Sequence, residues 1–570
     1  MSQLDGPNYP RPMTRYIRWQ ILLILLGVVL LAVLLTHLAI NYTTVLRPGY
    51  GGTYVEGVAG YPRHFNPLLS GFNPPDQDLC SLIFSGLTRF NAQGEVEPDL
   101  ASGWEISGDG KSYTFQLRTN AYWHDGSPVT ADDVILTIKL LQDPEFPGPP
   151  ELGANVWRTV KIEKVDRRTI RFHLAEPYAP FLDHTTVGIV PSHSMAGTYA
   201  RDLPTCDFNL APVGSGPFQV EEIETEDGAI VSVILKQFPR HYRARPYLDR
   251  IQFRFYPSHR AALRAYEEGD VQGVSRVAPA DLARAAGLPD LNLFTAQIAE
   301  YAMVFLNLDS DDAPFLAEKE VRQALMVALD RERIIEDVLD GQAMVSRGPV
   351  LPGTWAFSAS RPTYRQDREG ARALLDQAGW TQATLTSDVR HKEGEVLAFT
   401  LLTSNDPQRE AVAEMLARQW AAVEIDVEVV TVPEAEVPEA LESRDFQAAL
   451  VHLRLPGDPD PYPFWHETQI AAGQNYAGFA HRRISEVIER ARVTPNRFTR
   501  TELYNEFQEI FADQLPALPL YVPVYTYGVD ERINDVQIGP LMHPSDRFRT
   551  VLNWWIVHRR VFVSEAEVRR

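Results

Sequence analysis

The side chains best suited to chemistry lie in the segment LRTNAYWHDGSPVTADDV, Leu117–Val134. His124 could act as a general base with Asp125 or Asp132 as its carboxylate partner. The alternative is a structural turn between a strand near 113–118 and a helix that begins near Thr130. Thr130 is a suitable N-cap, and carboxylates in the first helical turn are favourable. The helix start therefore explains the acidic pair without catalysis, and we interpret the segment as structural.

Other enzyme and cofactor motifs are missing from the sequence. It contains no G-x-S-x-G, no H-E-x-x-H and no P-loop, and VGSGPF (213–218) lacks the Lys-Ser/Thr of a phosphate loop. GDPDPYPFW (457–465) has two carboxylates among three prolines, but not calcium-loop spacing. We expect no catalytic residue, metal site or cofactor, and we interpret 457–465 as a rigid loop that presents polar and aromatic side chains.

Composition sets further limits. The chain has 570 residues, which is too many for one hydrophobic core, and it is 45% apolar and 23% charged, as in ordinary globular proteins. Its formal net charge is −21. A chain this acidic is repelled by nucleic acid phosphates, so we exclude nucleic acid as a partner.

An apolar run near the N-terminus predicts a membrane segment. Ile21–Ile40 contains no Asp, Glu, Lys or Arg, and as a helix it would span about 30 Å. Arg11, Arg15 and Arg18 precede it, which leaves the N-terminus in the cytoplasm and exports everything from about Asn41. A cleaved signal peptide is the alternative. The run is long for one, and neither a small-x-small site nor a lipid-bearing Cys follows, so we favour an uncleaved anchor.

Cysteine usage leaves one question open. Cys80 and Cys206 are the only two cysteines. Exported thiols can form a disulfide, but sequence does not show whether these two meet. The sequence has no CxxC and no Cys/His cluster with zinc spacing, so we expect no structural zinc.

Periodicity predicts a mixed α/β protein. Apolar residues alternate with polar ones at 113–117, 170–174 and 251–255, as in half-buried strands. Helical stripes cover 321–339, 371–378 and 412–423, and Gly379 stands where a helix would end. The third stripe runs directly into the alternating EIDVEVV, and a helix followed by a strand indicates α/β units.

Several long motifs, which occur one after another along the chain, resemble those of a known protein family. The run VEPDLASGWEISGDGKSYTFQLRTNAYWHDGSPVTADDV closely resembles the signature of extracytoplasmic solute-binding proteins of the oligopeptide/dipeptide (peptide/nickel) ABC-transporter type. GSGPFQVEE, YLDRIQFRFYPSHRAALRAYEEGDVQGV, VRQALMVALDRERIIEDVL, REGARALLDQAGW and GDPDP continue it, over roughly Gly51–Val557. The resemblance makes the His-Asp-Gly turn part of a scaffold.

The resemblance implies an α/β two-lobe periplasmic-binding-protein-like fold of the large class, with an extra subdomain and a hinge-like closure. The expected parts are a cytoplasmic N-terminus at 1–20, a transmembrane anchor at 21–40, a linker at 41–50, lobe one at 51–297 with a subdomain inserted at about 81–195, lobe two at 298–526, a return to lobe one at 527–560 and a tail at 561–570. The hinges would lie near Gln297–Tyr301 and Tyr525–Val529.

The resemblance also implies which side chains face a ligand between the lobes. These candidates are Phe65, Asn66, Val274, Ser275, Tyr301, Trp355, Asp458, Tyr462 and Trp465. Aromatic rings supply contact area, and carboxylates orient polar ligands. The sequence departs from the family at one position that concerns the ligand. Peptide binders of this type carry an Asp that pairs with the α-ammonium of the peptide. This chain has Leu455 or Pro456 there, depending on a one-residue choice in the alignment.

The function implied is solute capture without chemistry. The expected partners are a peptide or similar solute, the permease and ATPase subunits of an ABC importer, and the membrane through the N-terminal helix, with the binding domain on the extracytoplasmic side. An oligosaccharide or other non-peptide solute is the alternative within the class. A solute sensor without transport is the alternative outside it, and a hydrolase is a more distant one.

Overall fold

The computed structural model describes residues 13–149, 152, 154–358, 364–381, 388–455 and 457–562. The first twelve residues of the expected cytoplasmic segment, Pro456 and the tail at 563–570 lie outside the described residues.

The helices alternate with strands through most of the chain. They are α1 (Met13–Thr43), α2 (Pro74–Ile83), α3 (Ala131–Gln142), α4 (Ala154–Trp157), α5 (Phe181–His184), α6 (His259–Glu267), α7 (Leu282–Ala286), α8 (Lys319–Val327), α9 (Arg331–Asp337), α10 (Arg368–Gln377), α11 (Pro407–Ala421), α12 (Val437–Ser443), α13 (Tyr462–Trp465), α14 (Gln469–Ala472), α15 (Arg482–Val493) and α16 (Arg497–Gln514).

The strands are β1 (Thr44–Pro48), β2 (Thr53–Ala59), β3 (Thr88–Phe90), β4 (Val96–Pro98), β5 (Ala101–Ile106), β6 (Ser112–Leu117), β7 (Lys161–Lys164), β8 (Thr169–His173), β9 (Phe218–Glu226), β10 (Ala229–Gln237), β11 (Arg250–Tyr256), β12 (Gly273–Val274), β13 (Leu291–Gln297), β14 (Glu300–Leu306), β15 (Ala343–Val345), β16 (His391–Lys392), β17 (Glu395–Val396), β18 (Ala398–Ser404), β19 (Asp426–Val432), β20 (Ala448–Arg454), β21 (Ala517–Asp530) and β22 (His558–Phe562).

The long strand β21 connects two halves of one sheet. Its first part, 517–521, pairs with β14, and its second part, 524–530, pairs with β13. Strands β18, β19 and β20 extend the β14 side, while β12, β2, β11, β10 and β9 extend the other side. Each half carries its own helices and core, so the predicted α/β two-lobe fold is confirmed. The partner change in β21 slightly precedes the expected hinge at Tyr525–Val529.

A second, four-stranded sheet in the order β5-β6-β8-β7 belongs to a subdomain of the first lobe. Tyr113, Phe115 and Leu117 on β6 are buried, as the alternation predicts. The core of the subdomain is continuous with the core of the first lobe, since buried residues of the subdomain and of the rest of the lobe belong to one cluster.

The His-Asp-Gly turn is held by scaffold hydrogen bonds. His124 Nδ1 accepts from the Gly214 N–H, and its Nε2 donates to the Gly216 carbonyl at 3.0 Å. Burial lowers the pKa of His124 to about 4, so the ring is neutral at physiological pH. Thr130 and Asp133 form a capping box at the start of α3. These contacts account for the segment structurally.

Two of the three helical stripes predicted in the second lobe form single helices, whereas the stripe at 321–339 is divided between α8 and α9. Helix α10 buries Ala371 and Leu375 and ends before Gly379, whose φ of +87° suits the C′ position. Helix α11 buries Val412 and Leu416 against the same core. These helices cover one face of the β14–β20 half-sheet.

The two cysteines do not form a disulfide: Cys80 and Cys206 are both free thiols. Cys80 is buried in the first lobe, and Cys206 donates through Sγ to the Leu203 carbonyl at 3.2 Å. Burial raises the pKa of both thiols, which favours their protonated form.

Among the described helices, one is long and apolar enough to cross a membrane: Trp19–His37 within α1. The folded domain buries none of it. Residues 41–50, expected as a linker, include β1, which pairs antiparallel with β22. The segment is therefore a paired strand, because the C-terminal end of the chain returns beside it.

A buried ion network fastens the C-terminal return to the first lobe. The Arg547 guanidinium donates to Glu56 on β2 and to Asp78 on α2 at 2.6 Å each, and all three side chains are almost fully buried. Tyr527 also donates to Glu56, at 2.8 Å. Burial raises the pKa of both carboxyl groups, and the charge of Arg547 opposes that effect.

Replacing Arg547 with Met should destabilise the first lobe by about 3–5 kcal/mol, because two buried carboxylates lose their counter-charge. Removing the Arg547 charge raises the pKa of both buried carboxyl groups further in the folded variant, so they take up protons as pH falls and the loss of stability should shrink. Native-state hydrogen exchange of the β2 and α2 amides measures this locally. Arg333→Met, at a 63% exposed side chain, is the matched control. An R547M variant as stable as that control would contradict the assignment.

Candidate functional site

The subdomain of the first lobe meets the second lobe across the cleft. The Ala179 N–H donates to the Arg492 carbonyl at 2.8 Å, and Arg497 pairs with Glu95 at 2.8 Å. The Arg492 guanidinium also lies over the Tyr178 ring, 5.0 Å from its centroid. These contacts join residues far apart in sequence, so the structure represents a closed arrangement of the lobes.

The loop 457–465 is the part of the second lobe that faces the subdomain, and its carboxylates are neutralised. Both oxygens of Asp458 accept from Arg500, at 2.7 and 2.8 Å. Arg492 Nε lies 3.1 Å from Asp460 Oδ2, and burial raises the pKa of Asp460 to about 6. Prolines stiffen the loop and arginines of α15 and α16 hold its charges, so its conformation is determined before a solute binds.

One carboxylate of the subdomain reaches into this charged cluster. Asp183 Oδ2 is buried and accepts no hydrogen bond from a described residue. Burial, together with the nearby negative charge of Asp458, raises the pKa of Asp183 well above its ordinary value. In this closed arrangement the raised pKa favours the protonated form of the Asp183 carboxyl group.

Gly457 makes this approach possible. A Cβ at this position would lie 2.4 Å from Phe90 Cζ and 2.7 Å from Asp183 Oδ2, closer than packed atoms allow. The neighbouring side chains therefore require glycine at this position.

Aromatic rings line the same cluster. The Arg500 guanidinium lies 4.8 Å from the centroid of Trp355, which packs against Tyr504 at 5.5 Å. Tyr462 lies under Arg492 at 4.1 Å and stacks on His466. Such ring and guanidinium faces offer apolar area and stacking contacts to a solute.

The structure brings together three of the nine predicted ligand-facing residues: Trp355, Asp458 and Tyr462. Tyr301 and Trp465 lie in the core of the second lobe, where Trp465 stacks on Phe305. Their assignment as ligand-binding residues stays a prediction.

The remaining four predicted residues lie in the first lobe and are buried in this arrangement: Phe65, Asn66, Val274 and Ser275. Asn66 donates to Asn209 Oδ1 at 3.0 Å, and the carbonyl of Ser275 accepts from the Tyr525 hydroxyl. Their polar groups are engaged in the scaffold, and a ligand role for them likewise stays a prediction.

Sequence reasoning missed Arg492, Arg500, Tyr178 and Asp183. A signal for Arg500 existed, because it lies on the same stripe of α16 as the buried Leu503, Tyr504 and Phe507. A charged residue within an apolar stripe requires a counter-charge from another element. No comparable signal marked Tyr178 or Asp183, which reach the cluster only through the packing of the subdomain.

Leu455, one of the two residues that could occupy the position of the missing acidic anchor, is buried and apolar. The other, Pro456, lies outside the described residues. The Leu455 N–H donates to the Ala299 carbonyl at 2.9 Å, beside the lobe crossing. Glu300 lies next to Leu455 in the β14–β20 pairing and is hydrogen-bonded to His452 Nδ1 at 2.9 Å. The other ring nitrogen, His452 Nε2, lies 3.1 Å from the Tyr521 hydroxyl. Burial would raise the pKa of Glu300, but the bond from His452 holds it below its usual range. Glu300 and Asp458 are thus both engaged within the protein.

Comparisons with known proteins agree with this architecture. The profile of bacterial extracellular solute-binding proteins, family 5, matches residues 95–475. The oligopeptide-binding protein AppA of Bacillus subtilis is 27% identical, over 90% of this chain and 92% of the relative. The dipeptide-binding protein of Escherichia coli is 27% identical, over 87% of this chain and 94% of the relative.

Solved structures show the same correspondence. AppA in complex with a nonapeptide has a TM-score of 0.69 at 26% identity, over 90% of this chain and 100% of that chain. NikZ of Campylobacter jejuni in complex with Ni(L-His) has a TM-score of 0.70 at 25% identity, over 88% and 99%. Because the family profile covers most of the chain and the two-lobe fold agrees, this chain belongs to the family 5 bacterial extracellular solute-binding proteins.

Proposed function

We propose that this protein is the membrane-anchored receptor of an ABC importer. It captures a peptide or similar solute between its lobes and presents the closed form to permease subunits driven by an ATPase. The receptor performs no chemistry; its work is a difference in affinity between open and closed states. The observation that supports this most directly is the contact of the subdomain with α15 and α16 across the cleft, since closure makes it.

The proposed solute does not depend on a free α-ammonium group. A buried ammonium needs a counter-charge or a well-placed acceptor, otherwise its desolvation is uncompensated. Leu455 provides none, and both oxygens of Asp458 are held by Arg500. Related proteins bind a nonapeptide and Ni(L-His), so the scaffold accommodates different ligand chemistries.

Blocking the N-terminus of a bound peptide should therefore cost little, about threefold or less in affinity. Native mass spectrometry first identifies what co-purifies with the full chain in detergent. Calorimetry then compares a peptide of that class with its N-acetylated form, in the native protein and in Asp458→Asn.

The proposal would be contradicted if a free peptide bound tightly and lost about a hundredfold in affinity both on acetylation and in D458N. That result would show that the peptide ammonium pairs with Asp458. Co-purification of a sugar or metal complex with no peptide affinity would replace the peptide reading with the non-peptide one.

Gly457→Ala should hinder closure. The added methyl meets Phe90 and Asp183, and overpacking of this kind costs about 1–3 kcal/mol. The expected result is weaker solute binding and a longer distance between spin labels at Glu224→Cys and Glu332→Cys, in a Cys206→Ser background, measured by pulsed electron paramagnetic resonance.

Gly348→Ala is the matched control, because no atom lies within 4 Å of a Cβ there. Equal affinities and equal distances in the two variants would remove the Gly457 contact from the closed state.

The apolar helix should remain in the mature protein as a single span. N-terminal sequencing of the membrane fraction should start upstream of Ile21, and the protein should resist carbonate extraction. Leu30→Arg with Leu31→Arg should prevent stable insertion, since each charge at a span centre costs about 2.5–3.5 kcal/mol.

Trp19→Arg, at the edge of the span, should be tolerated. A mature N-terminus at or beyond Asn41 would show that the segment is a cleaved signal peptide.

A further inference from the structure

The buried cluster between the subdomain and the second lobe contains more carboxyl groups than arginines that pair with them. The second lobe contributes Asp458 and Asp460, and the subdomain contributes Asp183. Arg500 donates to both oxygens of Asp458, at 2.7 and 2.8 Å, and Arg492 Nε lies 3.1 Å from Asp460 Oδ2. Both pairs are neutral, and both lie entirely within the second lobe. Among the described residues of the cluster, Asp183 is therefore left without a counter-charge of its own.

The Asp183 side chain lies where the second lobe covers the subdomain. A Cβ on Gly457 would lie 2.7 Å from Asp183 Oδ2 and 2.4 Å from Phe90 Cζ, so the backbone of the loop rests directly on these two side chains. The Asp458 N–H donates to the carboxyl group, but Oδ2 is buried and accepts no hydrogen bond from a described residue. The atoms that enclose the carboxyl group on this side belong to the second lobe, so an open cleft leaves it to water.

The imidazole and phenol groups beside the cluster are uncharged at physiological pH. Burial lowers the pKa of His184, which is on the same helix as Asp183, to about 4. Burial also raises the pKa of Tyr178 in the subdomain and of Tyr504 on α16 above the ordinary value. None of these three groups replaces the missing counter-charge.

The other arginines near Asp183 have carboxylate partners of their own. Arg89, on the neighbouring strand β3, pairs with Glu97. Arg549, whose guanidinium lies 5.7 Å from the centroid of an aromatic ring of β3, pairs with Asp546 at 2.6 Å. A closed cleft therefore buries Asp183 as an unpaired charge unless the group takes up a proton.

We propose that the cleft closes with the uptake of one proton from solvent, which Asp183 binds as the second lobe covers it. This inference deepens the proposed function and rests on it. A buried carboxylate loses its hydration without compensation, whereas the protonated group avoids most of that cost. The solute is therefore captured more tightly at acidic pH and released more readily at alkaline pH.

The two states of the cleft give the direction of the pH dependence. In the open form the Asp183 carboxyl group is hydrated and its pKa lies near the ordinary value. In the closed form, burial and the negative charge of Asp458 raise that pKa. Closure is favoured most below the open-state pKa. As pH rises between the two pKa values, the equilibrium constant for closure falls by up to about tenfold per pH unit.

The test measures the separation of the lobes in the full chain in detergent, after bound solute has been removed by dialysis. Pulsed electron paramagnetic resonance uses spin labels at Glu224→Cys and Glu332→Cys in the Cys206→Ser background, from about pH 5 to about pH 8. The ratio of closed to open native protein should rise about tenfold or more as pH falls across this range. Asp183→Asn carries a neutral amide in place of the carboxyl group, so it should show the acidic-pH ratio at every pH. Asp183→Ala should likewise lose the pH response.

The matched control is Asp132→Asn, which changes a 57% exposed carboxylate of the same subdomain that pairs with Lys164. It should keep the native pH response. Equal distance distributions at every pH in the native protein, or the native pH response in both D183N and D183A, would overturn the inference. A response that persists in D183N but is lost in Asp460→Asn would also overturn it, because the proton would then bind to Asp460, whose pKa burial raises to about 6.

The same labels separate this inference from the proposed function. The solute that co-purifies with the chain is released, identified by mass spectrometry and added back at a fixed pH. A label distance that shortens with this solute but does not change with pH refutes only the proton linkage. A distance that responds neither to the solute nor to pH refutes capture by closure itself.

Discussion

Both lobes depend on one shared strand. Strand β21 gives its first part to the half-sheet of the second lobe and its second part to that of the first lobe, so the backbone hydrogen bonds of both converge on a single extended segment. The other described crossing, between β13 and β14, lies directly beside it, and the Ile298 N–H donates to the Pro523 carbonyl. Because the two crossings are adjacent and each lobe has a rigid core, rotation of one lobe against the other about the crossings is the relative motion that distorts the cores least.

Charge controls closure where loop 457–465 meets the subdomain. Loop 457–465 carries two carboxylates into a buried interface, and desolvation there would oppose closure unless counter-charges were already in place. Arg500 and Arg492 supply them from within the second lobe, so the loop is neutralised before the subdomain arrives. Asp183 lies close to Asp458 in this arrangement, where burial and that negative charge raise its pKa, while the absence of a Cβ at Gly457 leaves room for the contact. Together these features make the closed state sensitive to small changes at a few positions.

Helix α1 and the C-terminal return both attach to the first lobe. The apolar helix α1 leads into β1, which pairs with β22, and β2 of the first lobe follows after a short turn. The buried network of Arg547, Glu56 and Asp78 attaches that return to the same lobe. In the receptor that we propose, a single span at the first lobe leaves the second lobe free to rotate, so that closure itself can signal to the transporter subunits.

The sequence by itself determined the local elements and the family. Alternation on β6, the stripes of α10 and α11, and the Gly379 helix end depend on side-chain periodicity and backbone preference, which act over a few residues. The ordered motifs identified a two-lobe solute-binding protein, and Leu455 or Pro456 marked the place of the lost acidic anchor. Only the tertiary structure decided that Asp458 is engaged by Arg500, that Tyr301 and Trp465 serve the core, that the cysteines stay apart, and that 44–48 is a strand. Each of these outcomes depends on a partner that is distant in sequence. A charge, a ring, a thiol or a strand edge contacts whichever group the packing of the chain places beside it, and the local sequence does not specify that group.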